Sequence, residues 1–343
     1  MSTQTSDDQH NEDLRHDEDL RHDEDIDTDA QSGRPEYDAV IVGGGAAGLS
    51  AALMLLRARR RVLVVDSRAP RNAKADHMHG YLSRDGMSPL ELLVLGRDEV
   101  LSYGGVVVTD YVEKAERTEN GFHVSLASGC EASARQLLVA TGLTDVLPQI
   151  PGMRELWATD VHVCPYCHGW EVRDQALATV ATGPFSTHHT LLLRQWTDDL
   201  VYFLNGQPLA DEDRAKLTAR GIRIEERPVR QLATQDGRLS AVELADGTRV
   251  RREAVFLVPR FESNGTLLDA LGCEKDPDTG WTKTGIGGRT SVPGVWAAGN
   301  VVDPSAGVIA AAGAASFTGA QINAALVEAD VEAAVAAAAT TRS

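Results

Sequence analysis

The sequence has no basic surplus. Lysine and arginine number 33 against 50 aspartates and glutamates, a formal net charge of −17. A protein that neutralises phosphates needs the opposite balance, so nucleic acid is excluded as a partner. No apolar run approaches the ~18 residues of a membrane span. The start is acidic, not a basic stretch followed by an apolar one, so a secretory signal is not expected and a cytoplasmic location is. Four cysteines in 343 residues are too few for a disulfide scaffold. What is present is 43% hydrophobic residues, enough for a sizeable core. At ~100–200 residues per domain, the length suits two domains.

The charge is unevenly placed. Residues 1–34 hold 12 acids and three arginines, leaving 38 acids and 30 bases for the rest. The head repeats itself, Asp13-Leu14-Arg15-His16-Asp17-Glu18 and then Asp19-Leu20-Arg21-His22-Asp23-Glu24. It has too little apolar surface to offset the entropy of ordering, so residues 1–36 are expected to form a disordered, solubilising tail. His16 and His22 have no neighbours that complete a metal shell, and no metal site is predicted. Glu328 to Ser343 is alanine-rich and is expected to form a frayed helix, with 329–343 a flexible C-terminal tail.

Structure is expected to begin at Tyr37. Asp38-Ala39-Val40-Ile41-Val42 is a buried parallel strand by its continuous apolar character. Leu49 to Arg59 has helical spacing, and Val62 to Val65 is a second strand ending in Asp66. The glycines between fit G-x-G-x-x-G at Gly43, Gly45 and Gly48. The first permits a tight turn, the second lets backbone approach a pyrophosphate, and the third lets helix and strand pack closely. Asp66 stands where a carboxylate can bind ribose hydroxyls.

Beyond a polar loop, Pro70 to Met87, Ser88-Pro89-Leu90-Glu91 reads as a capping box opening a helix to about Tyr103. Val106 to Val112 reads as one strand, and Glu119-Asn120-Gly121 as a hairpin turn. Pro148 and Pro151 place a domain boundary near Leu147. A second α/β unit follows: strand Ala176–Val180, helix Thr187–Trp196, strand Leu200–Leu204, then strand pairs turning at Asp236-Gly237 and Asp246-Gly247. Ala254–Val258 closes it. Val308 to Ala325 is a helix of small residues able to lie close to a flat ligand.

Cys164-Pro165-Tyr166-Cys167 carries the reactive chemistry. Thiols at C-x-x-C spacing can close a small disulfide ring and exchange quickly. His162 and His168 flank the pair, and a histidine can move the thiol protons near neutrality. Cys164 to His168 also spells the C-x-x-C-H of covalent haem attachment, which takes place outside the cytoplasm and needs export. A zinc site from His162, Cys164, Cys167 and His168 would use adjacent residues as poor joint ligands, with no second C-x-x-C to complete it. Cys130 and Cys273 stand alone and read as buried or idle thiols.

From about Tyr37 to Leu326 the chain resembles the low-molecular-weight thioredoxin-reductase flavoproteins. The resemblance rests on Gly43-Gly44-Gly45-Ala46-Ala47-Gly48, Ala140-Thr141-Gly142, the C-x-x-C near the start of an inserted domain, and Gly294-Val295-Trp296-Ala297-Ala298-Gly299-Asn300. It implies an α/β architecture of two Rossmann-like, doubly wound domains. An FAD domain (37–147 and 263–328) is split by an inserted NAD(P)-type domain (148–262), in a homodimer. It implies that FAD is held by Gly43, Gly45, Ala46, Ala47, Gly48 and Asp66, by Arg71, Asn72 and His79, and by Val112. Ala140, Thr141, Gly142, Gly299, Asn300, Val308 and Ile309 complete that set. It also implies that Cys167 faces the flavin, that Cys164 exchanges with substrate, and that His168 stands where the family has its proton-donating acid. His77 and His79 could line the same pocket.

The departures concern the inserted domain. Where the family has G-x-G-x-x-A for NADPH, this chain has Ala181-Thr182-Gly183-Pro184-Phe185-Ser186. Pro184 removes an amide and Phe185 adds bulk. Where the family has a His-Arg-Arg run for the 2′-phosphate, this chain has Leu204-Asn205-Gly206. NADPH binding is therefore doubtful. Asn300 replaces an acid near the flavin chain, and Gly307-Val308-Ile309 replaces an arginine-containing segment. Cys-Pro-Tyr-Cys-His-Gly resembles the dithiol oxidases of gliotoxin and holomycin biosynthesis, which implies oxidation of a small dithiol with dioxygen as acceptor. The alternatives are an NADPH- or ferredoxin-dependent thioredoxin-disulfide reductase acting on a redoxin, and a non-catalytic flavin-binding scaffold.

Overall fold

The computed structural model describes residues 36–341. The acidic head with its repeat lies outside them, apart from Glu36, whose backbone N–H donates to Ser133 Oγ at 3.0 Å. The first stretch comprises β1 (Tyr37–Val42), α1 (Ala46–Arg57), β2 (Val62–Asp66), α2 (Pro89–Ser102), β3 (Val106–Thr109), β4 (Val112–Thr118), β5 (Gly121–Leu126), β6 (Glu131–Val139) and β7 (Leu143–Val146). They build a sheet ordered β3-β2-β1-β6-β5-β4. Every residue of β1 and β2 is buried, which is why both read as unbroken apolar runs instead of alternating ones.

Two local expectations need correction. The Ser88 side chain makes no capping bond; α2 starts on Pro89, with the Leu92 N–H reaching the Ser88 carbonyl at 3.1 Å. The ring's fixed φ is enough to open the first turn. The strand expected over Val106–Val112 is two strands. The Asp110 carboxylate takes the Tyr111 N–H at 2.6 Å, and this local bond competes with the ladder and turns the chain.

The second stretch comprises β8 (Val161–His162), α3 (Pro165–His168), β9 (Leu177–Val180), α4 (Ser186–Leu193), β10 (Leu200–Phe203), α5 (Asp211–Ala219), β11 (Arg223–Glu225), β12 (Val229–Gln235), β13 (Arg238–Leu244), β14 (Arg249–Arg251) and β15 (Ala254–Phe256). A parallel sheet runs β11-β10-β9-β15-β8. Alternation along β10 shows the layering. Val201 and Phe203 meet Leu232, Val242 and Leu244 of the antiparallel β12-β13-β14 sheet. Leu200 and Tyr202 meet Leu193 and Leu217 of α4 and α5 on the other face.

The chain leaves the first unit through β7 and returns through β16 (Arg260–Ser263), and these two crossings pair antiparallel with Ser263 opposite Leu143. α6 (Thr266–Ala270), β17 (Val295–Ala297) and α7 (Val308–Thr340) complete the first unit. β17 pairs with the second half of β6, whose first half pairs with β5. The fold is thus α/β with two Rossmann-like units, one inserted in the other.

The alanine-rich C-terminal stretch, expected as a frayed helix, is helix as far as Thr340. Alanine is the best helix former and no glycine or proline follows Gly319 to stop it. Asp330 is gripped by Arg60 at 2.8 Å and Arg135 at 2.6 Å. The small residues of α7 serve helix packing: a Cβ on Gly319 would lie 2.8 Å from the Ala51 carbonyl oxygen of α1. Among the described residues no helix is long and apolar enough to cross a membrane.

Candidate active site

The glycine turn between β1 and α1 is shaped by close approach. Gly43 has φ +105°, and a Cβ there would lie 2.5 Å from the Ala140 carbonyl oxygen. A Cβ on Gly48 would lie 1.8 Å from the Gly43 oxygen, so neither position admits a side chain. At Gly45 the same test finds no protein atom within 4 Å: the turn is open on the side where a ligand backbone would pass. Gly45 also caps α1, so the first helical amides face that opening. Asp66, at the end of β2, is buried beside it and accepts the Arg68 N–H at 3.2 Å.

Distant segments converge on this turn. Ala140 abuts Gly43, and Gly299 lies against Ala47, which its Cβ would meet at 2.8 Å. Thr141 Oγ1 donates to the Asn264 carbonyl at 2.7 Å, ahead of Gly142 at φ +71°. Arg71 makes two 2.7 Å bonds to Asp145 and donates to Asn300 Oδ1 at 3.2 Å. Asn300 in turn donates to the Asp303 and Ala306 carbonyls at 2.8 and 2.9 Å. Its side chain thus holds the loop before α7. Asn72 closes a turn through its carbonyl, which accepts the Ala75 N–H at 3.0 Å. Val112 packs in the core, and Val308 and Ile309 form the first turn of α7. Alongside lies a cavity of about 220 Å³ whose lining includes Gly299, Ala306, Ala310 and Ala314. His79 belongs to the loop before α2. It lies 3.4 Å from Asp85 and 3.5 Å from Glu171, three residues beyond His168.

Cys164 and Cys167 are joined in a disulfide with Cα atoms 5.2 Å apart. Cys164 caps α3, whose proline at the first position needs no amide partner. Behind the pair, the His162 and His168 rings stack with centroids 4.5 Å apart and planes 17° apart. Phe256 closes the other side of His162 at 5.2 Å. Burial, helped by the His168 charge and opposed by Asp160, pushes His162 down to about 3. Burial also lowers His168, against the pull of Glu171 and with the repulsion of His79 and His77. Both rings are therefore neutral near pH 7, and a neutral imidazole is a base. His189 was not singled out in the sequence. Its Nε2 lies 2.6 Å from the Val163 carbonyl and braces the residue before Cys164. In front, Tyr166 and Trp170 are 71% and 64% exposed, Tyr166 edge-on to Trp196 and Trp170 under Arg173. Cys273 is buried and Cys130 half-buried, both outside this cluster.

The profile of the pyridine nucleotide-disulphide oxidoreductase family matches residues 37–319. The chain belongs to that family. The thioredoxin reductase tcpT of Claviceps purpurea is 32% identical over 275 residues, 77% of this chain and 86% of its own. The crystal structure of HlmI is 51% identical, covers 90% of this chain and 98% of its own, and superposes with a TM-score of 0.87. The oxidoreductase from Agrobacterium tumefaciens is 34% identical, covers 85% and 98%, and has a TM-score of 0.80. This protein is thus a thioredoxin-reductase-like disulfide oxidoreductase, and FAD is the cofactor of such enzymes. The open Gly45 cradle, the first amides of α1 and the Asp66 carboxylate fit a dinucleotide.

As a pyridine nucleotide-disulphide oxidoreductase, the chain departs in the turn after β9. Ser186 Oγ accepts the Thr182 and Gly183 amides at 3.0 and 3.2 Å. Two N–H groups of that turn are thus engaged by the protein's own hydroxyl. Pro184 offers none, and Phe185 is 76% exposed over the helix start. After β10 stand Leu204, Asn205 and Gly206; Asn205 Oδ1 is taken by the Val229 N–H at 3.0 Å. The nearby Arg214 and Arg227 are paired with Glu226, Glu225 and Asp246. Sequence alone shows the lost glycine but not that Ser186 bonds back to the turn.

Proposed function

We propose that this protein oxidises a small dithiol to a disulfide through Cys164 and Cys167, with dioxygen as final acceptor and no nicotinamide cofactor. The observation that carries this reading is the altered turn after β9, where Ser186 engages the Thr182 and Gly183 amides, Pro184 offers none and Phe185 stands exposed over the helix start. The exposed Tyr166 and Trp170 support a compact dithiol as substrate, since they offer apolar faces beside the disulfide.

One substrate thiolate attacks Cys164 Sγ, the Cys164–Cys167 bond breaks, and Cys167 leaves as a thiolate. The second substrate thiol then attacks the substrate sulfur bound to Cys164. That closes the product disulfide and leaves two electrons on the enzyme's sulfur pair. Neutral His168, next to Cys167, accepts a proton as the thiols ionise. Bound FAD would supply the two-electron acceptor through which the pair is returned to the disulfide. The resemblance implies a homodimer, and the acidic start and few cysteines a cytoplasmic location.

The second reading is an NADPH-driven thioredoxin reductase, which the similarity to the thioredoxin reductase tcpT favours. Anaerobic mixing of the holoenzyme with NADPH separates the two. The oxidase reading expects the visible flavin band to persist over seconds at millimolar NADPH. Prompt bleaching would establish the reductase instead.

A further inference from the structure

The loop 70–87, between β2 and α2 of the first unit, meets the inserted unit and its neck at two separated points. At its near end the Arg71 guanidinium grips Asp145 of β7 with two 2.7 Å bonds and lies over the Phe261 ring of β16 at 5.3 Å. Those two strands are the crossings between the units. A bidentate guanidinium–carboxylate pair is directional, and the Asp145 side chain is only 8% exposed, so this end of the loop is fixed to the neck. Further along, the loop folds back on itself. Met78 is buried, its N–H bonds to the Met87 carbonyl at 2.9 Å, and its carbonyl takes the Gly86 N–H at 2.9 Å. The Asp85 carboxylate takes the Gly80 N–H at 2.8 Å and faces His79 Nδ1 at 3.4 Å. The imidazole is thereby aimed, and its Nε2 faces Glu171 Oε1 of the inserted unit at 3.5 Å.

Glu171 is close-coupled to the sulfur turn. The Gly169 N–H closes on the Pro165 carbonyl at 2.7 Å, and Gly169 is pressed against Trp196, where a Cβ would lie 2.9 Å from the ring. Cys164 to Gly169 is therefore one seated turn, and Glu171 follows two residues later. Burial lowers His168, and the charges that also bear on it are Glu171, His79 and His77, so the contact stands beside the base of the sulfur site. The neck offers little other restraint. Two strands of four residues each leave the units free to move against one another unless contacts between them intervene.

We propose that His79 is a positioning residue for electron transfer from the sulfur pair to FAD: oriented by Asp85, it holds Glu171 and so keeps the Cys164–Cys167 turn at a fixed place against the first unit. Arg71 anchors the same loop at the neck, which makes His79 a fixed post and not a drifting surface side chain. The inference rests on the reading that the reduced sulfurs pass their electrons to bound FAD; it does not depend on dioxygen as acceptor.

The test follows hydrogen–deuterium exchange of the holoenzyme by mass, in peptides spanning 76–88 and 164–173, for the wild type, His79→Gln, Glu171→Gln and the double variant. The Glu171 side chain is 41% exposed, so its amide replacement does not threaten folding. Glu171→Gln should raise exchange across 76–88, in the other unit, by about threefold, the range of a partly exposed charged pair. The double variant should go no further than the larger single effect, because the two groups act through each other. Anaerobic stopped-flow mixing with saturating dithiothreitol should show the limiting rate of flavin reduction falling about threefold in each single variant and no further in the double. Exchange across 76–88 that ignores Glu171→Gln, effects that add in the double variant, or a limiting rate equal to the wild type throughout would each overturn the proposal. Linked exchange and linked rates in a protein that releases no peroxide would refute the oxidase reading alone.

Discussion

Replacing Cys164 with serine should lower dithiol oxidation by more than about 10³-fold, because the attacked sulfur is gone and a hydroxyl cannot enter a disulfide. The loss should be confined to chemistry. Cys164 caps α3 through its backbone, and its side chain makes no capping bond, so folding and flavin content should match the wild type. The companion variant gives a sharper result. Cys167→Ser leaves Cys164 able to exchange but removes the intramolecular leaving sulfur. Incubation with the oxidised form of a small dithiol should therefore leave a covalent adduct on Cys164, seen as a mass increase of one substrate. The same incubation of Cys164→Ser should leave Cys167 unmodified. If the adduct forms on Cys167 instead, the assignment of the two sulfurs is reversed. Cellular activity unchanged in Cys164→Ser would favour the non-catalytic scaffold.

His168→Gln should slow thiol–disulfide exchange by about 10²–10³-fold, and its pH dependence identifies the role. Burial holds the His168 imidazolium below the usual range around 6.5, with His79 and His77 adding repulsion and Glu171 opposing. The neutral, proton-accepting form therefore persists to a lower pH than in a free histidine. The wild-type rate should fall only as pH drops below about 6.5, the ordinary value. The glutamine variant should lack that limb and follow substrate thiol ionisation alone. Stopped-flow mixing with a dithiol across pH 5 to 9 measures both profiles. A variant that keeps the acid limb would assign it to another group, with His79 the first candidate.

Much of this site was legible in the chain because its physics is local. The glycines at 43, 45 and 48 are needed within one strand-turn-helix unit, and the structure shows the clashes that require two of them. The C-x-x-C spacing likewise places two sulfurs on one turn. What was not legible depends on contacts between distant segments. Nothing in the spacing of His162 and His168 says that their rings stack, since that needs Phe256 behind them. His189 reads as any helical histidine until α4 is packed against the chain before Cys164. The Ser186 hydroxyl reaches the two amides ahead of its helix only because of the backbone path through Gly183 and Pro184. The support for the end of α7 was not legible either. Alanine-rich ends fray when unsupported, and the support here comes from Arg60 and Arg135, far away in sequence, gripping Asp330.

Oxygen consumption and peroxide release during aerobic turnover with a small dithiol, in the absence of any nicotinamide, test the central claim most directly. The account predicts one peroxide and one product disulfide per dithiol consumed, with no change on adding NADPH. Turnover that stays silent until NADPH is supplied, with peroxide absent, would contradict it.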